Sequence, residues 1–266
     1  MIKEVSIIVL LFIGIFFTGF VNIVFNQSAY AHCFLPNDTA NFIALIYRAD
    51  TELTLVNNNF PSNVTLALDH AKETATLMNY VYRFDEEVTD DSDFIRKYNE
   101  VMSSRNSTVY AMVLADILDE VLRKYGKAYD IDYDLTNMSN MIFDTRSSSS
   151  FMNMHQPSQH SNMTEKNNNN NNSSSLVNIA DYQSAKELSE RAYQIFKNKL
   201  EPLSMSNGTN NSIVASNLDK LEKSLVNINN LMMMNNKEAA AGELMKIVHV
   251  QVHPVLQATY NLQLKK

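Results

Sequence analysis

From about residue 39 onward, apolar positions recur three and four residues apart, the spacing of one face of a helix. The first such stretch runs from about Thr39 to Val56, with Phe42, Ile46, Ala49, Leu53 and Val56 on one stripe and Asp38 as its N-cap. Pro61 and Ser62 open a second, about Asn63 to Phe84, whose stripe is Leu66, Ala67, His70, Thr74, Leu77, Val81 and Phe84. A short helix is predicted over Ser92 to Ser103. Another covers Ser107 to Tyr125, with Val113, Ile117 and Val121 inward and Gly126 as its C-terminal stop. The pattern resumes over Val177 to Leu200 through Ile179, Tyr182, Leu188, Ala192 and Ile195. After a turn near Pro202–Asn211, further helices are expected over Val214 to Met233 and Lys237 to Leu264.

These stretches predict an all-α bundle of six or seven helices. Residues 146–176 interrupt it with Ser147–Ser150, Asn167–Asn172 and Ser173–Ser175. So little apolar surface cannot offset the entropy of ordering, so this tract reads as a disordered insertion. It separates a first helical block (32–145) from a second (177–266). The second is small for a core of its own, so the two are expected to pack as one bundle, with two separate domains as the alternative.

The leader changes the picture most. An apolar run from about Val5 to Phe25 follows Lys3 and closes with Ala29-Tyr30-Ala31, the small-residue pattern of a signal peptidase site before His32. The run is also long enough to serve as a retained membrane anchor. Either way residues 1–31 carry the rest across a membrane, to be secreted or tethered at the cell surface. A lipidated Cys33 fits less well, because His32 stands where a small residue is needed. Asn-x-Ser/Thr acceptors at Asn37, Asn63, Asn106, Asn137, Asn162, Asn171, Asn172, Asn207 and Asn210, with Asn26 at the border, fit a glycosylated extracytoplasmic chain.

Composition then excludes several functions. The formal net charge is −7 without a basic cluster, which argues against nucleic acid as a partner. The membrane is a partner only through an uncleaved leader; a protein or small-ligand partner is not named by the sequence. Cys33 is the one cysteine, so no disulfide closes within the chain. Beyond the leader only Gly126, Gly208 and Gly242 are glycines, none near another. Phosphate loops, dinucleotide turns and the serine-hydrolase elbow all need clustered glycines, and none can form.

The best candidate chemistry is a metal set of His70, Glu73, His249 and His253, for copper or zinc. His70 sits in the apolar stripe of its helix with Glu73 one turn on. His249 and His253 are four apart and share a face, beside Pro254, which should kink the helix. An angular projection sets Leu244, Ile247, Val248, Val252 and Val255 inward, with both histidines off that face alongside Lys246, Gln257 and Tyr260. The segment Val248–Val252 also alternates like a strand, on which the histidines would still share a face. The competing expectation is a hydrogen-bonded core His70 with a solvated histidine pair, or a proton-linked switch. His70-Ala71-Lys72-Glu73 resembles the His-x-x-Glu of imelysin-like metal-binding proteins, which implies metal binding there. The likeness covers four residues, and Leu68 stands where that family has glycine.

Three other features carry less. A chain beginning at His32 could chelate copper through its terminal amine and imidazole. Met152, Met154, His155, His160 and Met163, in a chain with 14 methionines, offer soft donors for copper. The acids Asp85, Glu86, Glu87, Asp90, Asp91 and Asp93 read as a solvated linker. Asp130, Asp132 and Asp134 begin like a calcium loop that fails at Leu135 and Met141. The sequence thus leads to a non-enzymatic binding or interaction protein of the cell envelope. The alternative is a metal-binding bundle built on His70, His249 and His253, and catalysis has no support beyond those histidines.

Overall fold

Asparagines start four of the helices. In α1 (Asp38–Asn59) the side-chain oxygen of Asn37 accepts the Ala40 N–H at 2.9 Å. Asn37 is therefore the cap in place of Asp38, which lies in the first turn, where its charge faces free N–H groups. Asn63 receives the Leu66 N–H at 3.1 Å ahead of α2 (Val64–Arg83). A shorter α3 (Asp91–Met102) follows. Asn106 receives the Thr108 and Val109 N–H groups at the start of α4 (Ser107–Ala128). Asn178 caps α5, which runs Ile179–Ile195, widens into a π turn at Phe196–Leu200 and finishes as Glu201–Ser206. After α6 (Ser212–Met232), α7 repeats that design: Lys237–Lys246, a π turn at Ile247–Val252, then His253–Tyr260.

The structure is a computed structural model and describes residues 34, 37–83, 91–131, 176–206, 212–234 and 237–263. Among these residues the fold is seven helices without a strand. The leader 1–31 and all but the last residue of the Ser/Asn tract lie outside them. No described helix is long and apolar enough to cross a membrane.

Helix α4 organises the packing. Its apolar residues cover most of its circumference, and Val109, Tyr110, Val113, Leu114, Ile117, Leu118, Val121, Leu122 and Tyr125 are all buried, while Asp116, Arg123 and Lys127 mark a narrow polar edge. A helix with so wide an apolar surface is covered on several sides, and α1, α5 and α7 pack against it. Helix α2 lies on α1, and α6 lies on α5 and α7. Buried residues of both helical blocks belong to one continuous apolar core.

Three local expectations change. Leu53 is 40% exposed, because the covered face of α1 is turned toward Thr51, Glu52, Leu55 and Asn59. Helix α4 continues two residues past Gly126. The Gly126 carbonyl receives the Tyr129 and Ile131 N–H groups, and the left-handed residue at that end is Asp130, with φ 50°. The helix does not stop before Pro202: the Glu201 N–H bonds five residues back to Phe196, and the chain stays helical to Ser206.

Charge enters this core only with partners. The Glu120 carboxylate, 6% exposed, receives Arg123 Nε at 2.7 Å, a second bond from the same guanidinium, and Arg48 at 3.2 Å. Burial pushes the carboxyl up, but Arg48, Arg123 and Lys124 outweigh it and hold it down at about 2. A carboxyl lowered in the fold from 4.5 adds stability that is complete above its ordinary value and vanishes as pH falls toward 2. Glu120→Gln is expected to lose about 3 kcal/mol of unfolding free energy at pH 7. The gap from the unmodified protein should close between pH 4.5 and pH 2. Urea unfolding across that window checks this; a gap that stays constant would assign the loss to shape and not to charge.

Candidate metal centre

The phase of α7 decides where its histidines point. Through Leu244, Ile247 and Val248 the buried positions follow the apolar face read from the sequence. In the π turn the His253 N–H bonds five residues back to the Val248 carbonyl. That wider loop holds one extra residue and delays the inward face by one position. After it, His253 and Leu256 are buried while Val255 is only half-buried. Both histidines thus turn into the core, at 2% and 3% exposure, and the projected solvated pair does not form. Pro254 supplies a reason. In an α turn its ring would crowd the Val250 carbonyl and leave it without a donor, and the widened turn relieves both. The segment Val248–Val252 is helical and not a strand.

Opposite the pair, α4 supplies Asp119, 6% exposed. Its Oδ1 lies 3.5 Å from His253 Nε2, and His253 Nδ1 lies 3.3 Å from His249 Nδ1. The two rings cross at 74° with centroids 5.0 Å apart. One ligand atom from each of Asp119, His249 and His253 can be chosen so that all three lie within 4.8 Å of one another. Two ligand atoms on a tetrahedral zinc stand about 3.3 Å apart, so closing on an ion requires shifts of about 1.5 Å or less. An ion takes His253 through one nitrogen only. Two neutral imidazoles and one carboxylate are a donor set that holds a divalent transition ion. Phe34 covers His253 edge-on, ring centroids 5.4 Å apart at 65°.

His70 and Glu73 belong elsewhere. His70 is 1% exposed, with Nδ1 2.7 Å from Glu52 Oε2 and Nε2 3.0 Å from Gln183 Oε1. That Gln183 oxygen also accepts the Asn59 amide at 2.9 Å, and the same Asn59 nitrogen is anchored on the Leu55 carbonyl at 2.8 Å. The network therefore presents an acceptor to each ring nitrogen. Both ring nitrogens are thus engaged by Glu52 and Gln183, away from His249 and His253. Glu73 pairs with the buried Lys124 at 3.1 Å, which also meets Asp181 at 3.0 Å and Glu52 at 3.8 Å. Burial pulls the Lys124 ammonium down, and Glu73, Glu52, Asp181 and Glu120 together raise it further than burial lowers it. A cleft of about 280 Å³ opens over Glu52, Asp69, His70, Glu73 and Lys124. Its ion pairs tie α1, α2, α4 and α5 together.

The proposed ligand set thus separates: His249 and His253 meet with Asp119, while His70 and Glu73 join Glu52, Gln183 and Lys124. Asp119 was hidden because an acid is first read as outward. The spacing gave no signal against that reading, since Asp119 stands beside Asp116, Glu120 and Arg123 at the polar edge of α4. Other sequence candidates lie outside the described residues: His32, Cys33, the Met152–Met163 donors, the acids at 85–90, Asp132 and Asp134, and the acceptors Asn137, Asn162, Asn171, Asn172, Asn207 and Asn210.

The division between the two sites is testable. His70→Leu leaves the buried Glu52 carboxylate without its nearest partner, and the unfolding free energy should fall by about 3 kcal/mol. It should leave metal uptake at Asp119, His249 and His253 unchanged, as read by metal titration of the folded variant. Loss of uptake in a folded His70→Leu protein would return His70 to the ligand set. Compared with protein-family models, curated proteins and solved structures, the chain matches none.

Proposed function

We propose that the chain is an exported, glycosylated helical-bundle binding protein without catalytic activity. Its ligand is one divalent transition-metal ion, zinc or copper, held by Asp119, His249 and His253. The observation that carries this reading is the convergence of three buried ligand side chains within 4.8 Å. Burying two imidazoles and a carboxylate in an apolar core is costly. A divalent ion offsets that cost by bonding all three.

The same residues argue against turnover. In the His-Glu-x-x-His helix of metalloproteases, the second residue is the general base beside the zinc. Here that position is Val250, 41% exposed and apolar. With all three ligands nearly sealed from solvent, the centre also offers no open side for a substrate. Holding or handing over the ion fits these features better than hydrolysis.

The leader pattern and the acceptor asparagines support export. Asn37, Asn63 and Asn106 cap helices through Oδ1. A glycan would take Nδ2, an atom those caps do not use, so sugar and cap are compatible. Asn63 and Asn106 are exposed.

Metal analysis of the purified full chain tests the reading. One zinc or copper ion per chain is expected after loading. His249→Ala/His253→Ala should abolish it, Asp119→Asn should weaken it at least tenfold, and acidification should release it as protons compete for the imidazoles. Equal metal content in the unmodified and double-variant proteins would remove the centre. Terminal sequencing and a glycosidase-dependent mass shift in the native protein test export; an unglycosylated chain retaining its leader inside the cell would end that part.

A further inference from the structure

Helix α2 carries two apolar faces. One, with Leu66, Ala67, Leu77 and Val81, is buried in the bundle. The other faces solvent: Val64, Leu68, Met78 and Tyr82 are between 37% and 59% exposed, with Ala75 exposed and Ala71 half-buried among them. In chain order these six residues follow one another at intervals of 4, 3, 4, 3 and 4, the heptad seam by which one helix packs along another. Single exposed apolar side chains are ordinary on a protein surface. A continuous seam about 27 Å long is not.

We infer that this seam pairs with the same seam of a second copy of the chain, antiparallel, about a two-fold axis level with residue 73. The side-chain sizes fit that operation. Val64 falls opposite Tyr82 of the second copy, Leu68 opposite Met78 and Ala71 opposite Ala75, so large meets large at the ends and small meets small at the centre. The central alanines let the two helices approach closely, and opposed directions set their dipoles favourably. The chain carries a net charge of −7, but α2 sets Asp69 and Glu73 against Lys72 and Arg83, so this face approaches its copy without that repulsion. Lys72, beside the seam, is paired with Asp69 at 3.2 Å. Apolar surface continues at both ends. Phe60, 62% exposed, precedes Val64; at the other end Tyr82 stacks on Phe94, which meets Tyr98, and Ile95 is 58% exposed. Antiparallel pairing brings the Phe60 end of one copy to the aromatic end of the other. The acceptor Asn63 lies before Val64, so a sugar there borders the seam. A strip one helix wide, even so extended, stays below the about 800 Å² per copy of a standard stable interface. The dimer is therefore reversible, dissociating at roughly 10 to 100 micromolar.

Sedimentation of the natively processed chain over roughly 1 to 500 micromolar tests the pairing. The unmodified chain should pass from monomer to dimer within that range. Leu68→Glu/Met78→Glu should stay monomeric throughout, with helix content and urea midpoint near the unmodified values because both side chains are exposed. Leu68→Glu/Met78→Lys should dimerise again: in an antiparallel pair each glutamate faces a lysine of the other copy, whereas a parallel pair would set like charges together. Val226→Glu, at an exposed apolar position of α6, should leave the dimer unchanged. An unmodified chain that stays monomeric overturns the inference and leaves the seam to some other partner. A dimer indifferent to Leu68→Glu/Met78→Glu overturns it as well. A folded Leu68→Glu/Met78→Lys chain that stays monomeric overturns the antiparallel pairing. None of these outcomes depends on the metal centre, whose metal uptake should be the same in the monomeric variant.

Discussion

Charge inside α4 constrains the rest of the bundle. Asp119, Glu120 and Lys124 lie within two turns of a helix whose other faces are apolar and enclosed. A buried charge without an opposite partner costs several kcal/mol, a large share of a domain's net stability. Each is therefore faced from another helix: Glu120 by Arg48 of α1 as well as its own Arg123, Lys124 by Glu52, Glu73 and Asp181 of α1, α2 and α5, and Asp119 by the imidazole of His253 of α7 at 3.5 Å. The apolar core favours collapse in general. The matching of these charges fixes which helix lies where, and so brings the second helical block onto the first.

The π turns act on the same problem from the other side. Each ends two residues before a proline, at Leu200 ahead of Pro202 and at Val252 ahead of Pro254, with Glu201 and His253 making the closing five-residue bonds. In both helices the chain continues after the proline instead of breaking, and the two segments beyond them meet where Ser204 Oγ and Tyr260 Oη lie 2.7 Å apart. The second turn also re-aims α7. Without its extra residue, Val255 would face inward and His253 would look toward solvent. Proline chemistry, through a change of helical pitch, thereby places an imidazole beside Asp119.

Much of this was legible along the chain. The stripe Leu66, Ala67, His70, Leu77 and Val81 is buried in α2 as its spacing requires, and the seven helices lie near their expected limits. Periodicity works there because those helices keep one covered face. It fails for α1 and α4, which are covered on several sides. Glu52 and Asp119 break the apolar pattern in sequence but lie inside the core, so a rule sending charge outward misplaces both. It fails again in α7, where a period of 3.6 assumes a uniform helix and the π turn is not uniform.

What the sequence determined by itself is the class of structure: helices set by spacing, without the glycines that phosphate or nucleophile loops require. That follows because backbone preference and hydrophobic period are local. What only the tertiary structure decided is which ionisable groups share a place. His70 and His253 look alike as entries in a helical pattern, yet one is locked between acceptors and the other faces a carboxylate and a second imidazole. For each, one decisive partner, Gln183 or Asp119, comes from more than a hundred positions away, and for His253 the phase of a single widened turn sets the direction of approach.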